Sequence, residues 1–131
     1  MKVATKVAHW TLRGSGALVL SLGLIIWVGH GDQLVEVHKV LGFVLVFSLW
    51  ILAAIAARSR VSIGLIIAAV VLGLMAPILG FAQEELVFGR WQWVIQVLHL
   101  VIGLSAIVLG ERLVISMRQI ETTSGPHPRP T

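Results

Sequence analysis

Four apolar stretches, each long enough to cross a membrane as a helix, constrain this chain more than anything else in it. They run approximately over residues 10–28, 34–57, 61–81 and 91–117. An α-helix needs about 20 apolar residues to span the hydrocarbon core. The stretches are apolar nearly all round, as expected of helices surrounded by lipid and by one another. Charged residues are only 12% of the 131, and hydrophobic residues 57%. Soluble domains carry about 25% charge, so a water-soluble enzyme and a disordered chain are both excluded.

The connections are short: Gly29–Gln33 reads as a turn, Arg58–Arg60 as a tight hinge and Ala82–Arg90 as a longer loop. Short links make sequential helices antiparallel. The expectation is therefore an all-α integral membrane protein, an up-down-up-down four-helix bundle over residues 1–120. The tail 121–131, rich in Pro, Thr and Ser, is expected to be disordered. Eight of ten Lys and Arg fall on the side of the termini, leaving only Lys39 and Arg90 on the other. The positive-inside rule then puts both termini in the cytoplasm of a multi-pass protein. The net charge of +4 is read as this topology signal, not as a nucleic-acid interface. The first stretch has no small-x-small cleavage site after Trp27, so it reads as a retained helix and not a signal peptide. No repeat of 20–50 residues is visible.

The chain has no Cys, which removes disulfides, thiolate metal sites and covalent haem attachment. Five His remain. His127 is in the tail and His30 in the first turn, and both read as solvated. His38 and His99 lie inside the second and fourth stretches, where ionisable groups are costly and functional by default. These two helices run the same way, so both imidazoles fall at similar depth in the outer half. Each opens the pattern H-x-x-x-G, ending at Gly42 and Gly103. A residue four further on lies one turn deeper on the same face. Glycine there leaves room beneath the imidazole for a wide flat group.

A porphyrin with two axial imidazoles fits this pattern. The bland alternative is helix packing through small residues with each His bonded to a neighbouring helix. Zinc or copper would want a third or fourth ligand, for which Met75 or His30 are the candidates. A proton relay has no deep Asp or Glu to use.

Three places resemble a known family, the bacterial cytochrome b561-type membrane cytochromes. They are His9-Trp10 before the first helix, His38-Lys39-Val40-Leu41-Gly42 at the start of the second, and Leu98-His99 with Gly103 on the fourth. Leu74–Gly80 on the third is similar to the family's M-P-x-x-G with one residue inserted. The resemblance covers roughly residues 6–115. It implies a bacterial inner-membrane protein with b haems stacked near the two faces, His38 and His99 ligating the outer iron and His9 an inner one. The inner partner would fall near Leu113, where no His stands; Met117 is the nearest substitute. One haem b is therefore expected, and the second is left open, with His9 otherwise an interfacial side chain.

Lys39 and Arg90, the outer cations, are the candidates for propionate or anionic-substrate contacts. Gly23 and Gly80 are candidates for further room at the macrocycle edge, and Pro77 for a kink. A closed bis-His iron carries single electrons. By the resemblance, the exchange is between membrane quinone and an outer-side redox partner. The alternative is a small accessory or assembly subunit of a larger respiratory or photosynthetic complex, with or without haem, or a homodimer. A transporter would need polar groups at mid-span, and the spans are aliphatic there.

Overall fold

The computed structural model describes residues 3–29, 31–85 and 91–123. It contains four α-helices: α1 Val3–Trp27, α2 Val35–Ala57, α3 Ile63–Glu85 and α4 Gln92–Thr123. All four are long and apolar enough to cross a membrane. In hydrocarbon every peptide group needs an internal partner, which a helix supplies along its whole length. The few hydroxyls follow the same rule. Ser15 donates to the carbonyl of Thr11, Ser48 to Val44 and Ser105 to Val101, each one turn back at 2.7 Å.

The architecture expected from the apolar stretches is the one found, and the ends differ. α1 begins at Val3, a full two turns before Trp10, and α4 runs on to Thr123. Residues 121–123, expected in a disordered tail, are helical and exposed; 124–131 lie outside the described residues. Hydropathy marks where lipid ends, and helices continue beyond it. Residues 82–85, expected in a loop, complete the last turn of α3.

The turn after α1 uses glycine where the backbone requires it. Gly29 and Gly31 have φ of +80° and +110°, a region in which a Cβ is strained. A short 3-10 turn, Asp32–Leu34, then leads into α2. The hinge after α2 is tighter. The Arg58 and Ser59 amides close onto Ile55 and Ala56, Arg60 turns the chain with φ +58°, and the Ser62 carbonyl accepts from Leu65 to open the next helix.

Each helix packs on its sequence neighbours, α4 closes against α1, and α2 touches α4 across the diagonal. Among the described residues α1 and α3 make no contact. The buried core lies entirely toward the end that carries the termini. Buried residues of α1 stop at Gly16, those of α2 start at Leu45, and those of α4 start at Ala106. Leu12, Leu49, Leu52 and Leu113 are fully enclosed there. Pro77 sits inside α3 and removes the amide that would bond the Gly73 carbonyl. The Trp50 indole Nε1 lies directly against Gly73. Trp50 packs there, with its Nε1 buried and without a hydrogen-bond partner.

Candidate functional site

The other end of the bundle, where the α1–α2 and α3–α4 links lie, is hollow. His38 stands in the first turn of α2 and His99 two turns into α4. The diagonal contact of these two parallel helices brings their rings together across the bundle. The ring centroids are 6.2 Å apart, with the planes tilted by 49°. Each Nδ1 is buried without a hydrogen-bond partner. An orphaned buried polar atom costs about 1–3 kcal/mol; these two stand side by side, and the Trp50 Nε1 is a third among the described residues.

The glycines divide into two kinds. A Cβ at Gly23 would come within 3.1 Å of the His38 ring, and one at Gly80 within 3.5 Å of the His99 ring. These glycines let each imidazole approach the preceding helix closely, α1 for His38 and α3 for His99. The backbones of Val19 and Ala76, one turn away on those helices, approach the same two rings. A Cβ at Gly42 or Gly103 would meet nothing within 4 Å. The room expected beneath each imidazole is present. Together these positions line a cavity of about 320 Å³.

The lining repeats itself. Gly23 and Gly80 are 57 positions apart, as are Val19 and Ala76, Leu20 and Pro77, Leu24 and Phe81. His38 and His99 are 61 apart, as are Gly42 and Gly103, Lys39 and Leu100, Phe43 and Leu104. The two hairpins therefore present equivalent walls about an approximate two-fold axis between His38 and His99. Identity holds at Gly23/Gly80, His38/His99 and Gly42/Gly103, and off the wall at Leu22/Leu79 and Val40/Val101, at a spacing longer than 20–50 residues.

Of the two cations expected at this end, Lys39 lines the cavity and pairs with Glu36 at 3.0 Å. Arg90 lies outside the described residues, as do His30 and His127. Sequence reasoning missed the amides of Gln83, Gln92 and Gln96, which also border the cavity. Their signal was the spacing Gln92, Gln96, His99 on one helical stripe at the start of an otherwise apolar run. Met75 is not in the cavity wall. Among the described residues no group of three His, Cys, Asp or Glu converges.

His9 belongs elsewhere. It is buried at the opposite end, and its Nε2 meets Glu111 Oε2 at 2.9 Å. Arg13 Nε approaches the other carboxylate oxygen at 3.5 Å and stacks its guanidinium over Trp10 at 5.4 Å. Glu111, inside the fourth apolar stretch, was overlooked because its partner His9 is 102 positions away. Leu113 and Met117, near which an inner partner for His9 was expected, are buried in the solid core.

Fold and site define the class: a multi-pass α-helical bundle with a paired-imidazole cavity at one end. No known protein family, curated protein or solved structure matches the chain.

Proposed function

We propose that the protein is a membrane b-type cytochrome holding one haem between His38 and His99. The observation that carries this reading is the pair of partly buried imidazoles, 6.2 Å apart between ring centroids, beside glycine-made space. Metal–imidazole bonds are about 2.0–2.1 Å, so two rings on opposite sides of one metal have centres about 6 Å apart. The observed 6.2 Å suits that spacing. Gly42 and Gly103 leave the area beside each ring clear, and the cavity wall is aliphatic where a macrocycle would rest. Lys39 and the three glutamines stand where anionic propionates would need donors.

His38 and His99 would hold the haem, which would supply reversible one-electron transfer. The chain's own residues hold the imidazoles, exclude water through the apolar wall and set the local charge through Lys39 and Glu36. The Lys and Arg distribution orients the hollow end away from the cytoplasm. With the resemblance to the b561-type cytochromes, this supports electron exchange between the quinone pool and an outer-side redox partner in a bacterial inner membrane. An accessory subunit of a larger complex is the second reading. It is favoured by the short links between the four helices.

Reduced-minus-oxidised absorption spectra of the detergent-purified protein test the proposal. A sharp b-type α-band is expected, with a low-spin bis-imidazole signal in electron paramagnetic resonance. A colourless protein expressed with ample haem overturns it and leaves the accessory-subunit reading.

A further inference from the structure

The outer surface of α3 and α4 carries a second concavity, distinct from the cavity at the hairpin end. It is a groove lined by Ala68 and Leu72 on α3 and by Val101, Ser105, Val108 and Arg112 on α4. Val101 and Arg112 are 11 positions apart, a rise of about 16 Å at about 1.5 Å per residue. One leaflet supplies about half of the ~30 Å hydrocarbon core, so the groove is about as long as one leaflet is deep. The Ser105 hydroxyl donates to the Val101 carbonyl of its own helix. The groove therefore offers apolar surface along its length and a guanidinium at one end.

Arg112 is exposed on the bundle surface. Ala68, in the same groove, is five positions past the start of α3 at Ile63. A cation at that depth sends its head toward the interface, where lipid phosphates lie. The carboxylates described at this end are committed elsewhere. Glu111 is held by His9 and Arg13, and Glu121 is engaged as well. A second copy of this chain alongside would bring the same committed carboxylates and further cations. The seam related by the two-fold lacks the charge: at the spacing of 61, Val108 and Arg112 correspond to Phe47 and Ile51.

We infer that the α3–α4 groove binds one anionic phospholipid from the leaflet on the side of the termini, with an acyl chain along Val101 and Val108 and the phosphate on Arg112. A guanidinium meets phosphate oxygens with two parallel N–H donors. Basic pockets between membrane helices on the cytoplasmic side hold acidic head groups in this way. The site lies outside the imidazole cavity, so the inference stands whether or not haem fills that cavity.

Native mass spectrometry of the full-length protein, released from nanodiscs of equal phosphatidylglycerol and phosphatidylcholine with the same acyl chains, reads what is retained. One phosphatidylglycerol per chain is expected, preferred over phosphatidylcholine. Arg112→Gln removes a charge-assisted contact and is expected to lower retention roughly tenfold. Arg58→Gln makes the same change of charge at an exposed position of the same end outside the groove lining, and is expected to leave retention unchanged. Val108→Trp fills the groove with Arg112 intact and is expected to lower it. Both Arg112 and Val108 are exposed, so the helical content by circular dichroism should match the wild type. Glycerol phosphate, a head group without a chain, is expected not to displace the lipid. Equal retention of the two lipids by the wild type overturns the inference without any variant. So does an equal loss in Arg58→Gln, unchanged retention in Arg112→Gln or Val108→Trp, displacement by glycerol phosphate, or a lipid-free dimer that Val108→Trp dissociates.

Discussion

The two ends of this bundle are built from the same four helices with opposite side-chain economy. Toward the termini, Leu12, Leu49, Leu52 and Leu113 interdigitate and are fully buried. Toward the hairpin links, Gly23, Gly42, Gly80 and Gly103 occupy the facing positions, and the helices enclose a cavity instead. The glycines themselves show the difference. A Cβ at Gly110 would strike the Leu12 side chain at 2.6 Å, and one at Gly16 would strike Ile107 at 2.9 Å, whereas at Gly42 and Gly103 it meets open space. Glycine serves close packing at one end; at the other, Gly42 and Gly103 leave vacancy while Gly23 and Gly80 admit the imidazoles. One end holds the fold, which frees the other to be incomplete without a ligand.

The largest expected effect is at the hollow end. His38→Ala or His99→Ala should abolish haem binding outright, read as loss of the b-type spectrum. The bundle should still purify as a helical protein, because the packed half is untouched. Leu113→Ala at the packed end should do the reverse. Truncating a fully buried leucine costs about 2–5 kcal/mol, so thermal denaturation in detergent should shift strongly while haem stoichiometry at low temperature holds. Gly110→Ala should cost about 1–3 kcal/mol by overpacking against Leu12. Gly103→Ala, with nothing to strike, should leave apoprotein stability unchanged, and the two thermal scans together test the division of the glycines directly. The smallest effect is assigned to the His9–Glu111 pair. Interhelical polar pairs in membrane bundles contribute about 0.6 kcal/mol, and up to about 1.7. A double-mutant cycle with His9→Ala and Glu111→Ala should return a coupling in that range and no change in the spectrum. A spectral change on removing His9 alone would mean that the packed end also carries a cofactor.

Much of this was legible in the sequence, for definite reasons. The spans declared themselves because lipid demands long apolar runs. Their ends did not, because Val3–Trp10 and the last turns of α4 stay helical where hydropathy has already fallen. His38 and His99 were legible because an ionisable group in a span stands out, and Gly42 and Gly103 because a period of four marks one helix face. Gly23 and Gly80 were placed near the site without the reason now visible: each is the surface on which the imidazole of the following helix lies. Glu111 was missed because its partner His9 is 102 positions away, beyond any local pattern. The two-fold relation was missed because identity is retained at few positions, at a spacing longer than 20–50 residues.

The contrast between the two ends has a direct numerical consequence. One end has paired imidazoles beside open space. The other gives its only imidazole among the described residues to Glu111 and fills its centre with leucine. A pyridine haemochrome assay against protein mass on the purified full-length chain counts what binds. The account predicts one haem b per chain. Two would contradict it by showing that the packed end opens around His9, and none would contradict the assignment of His38 and His99.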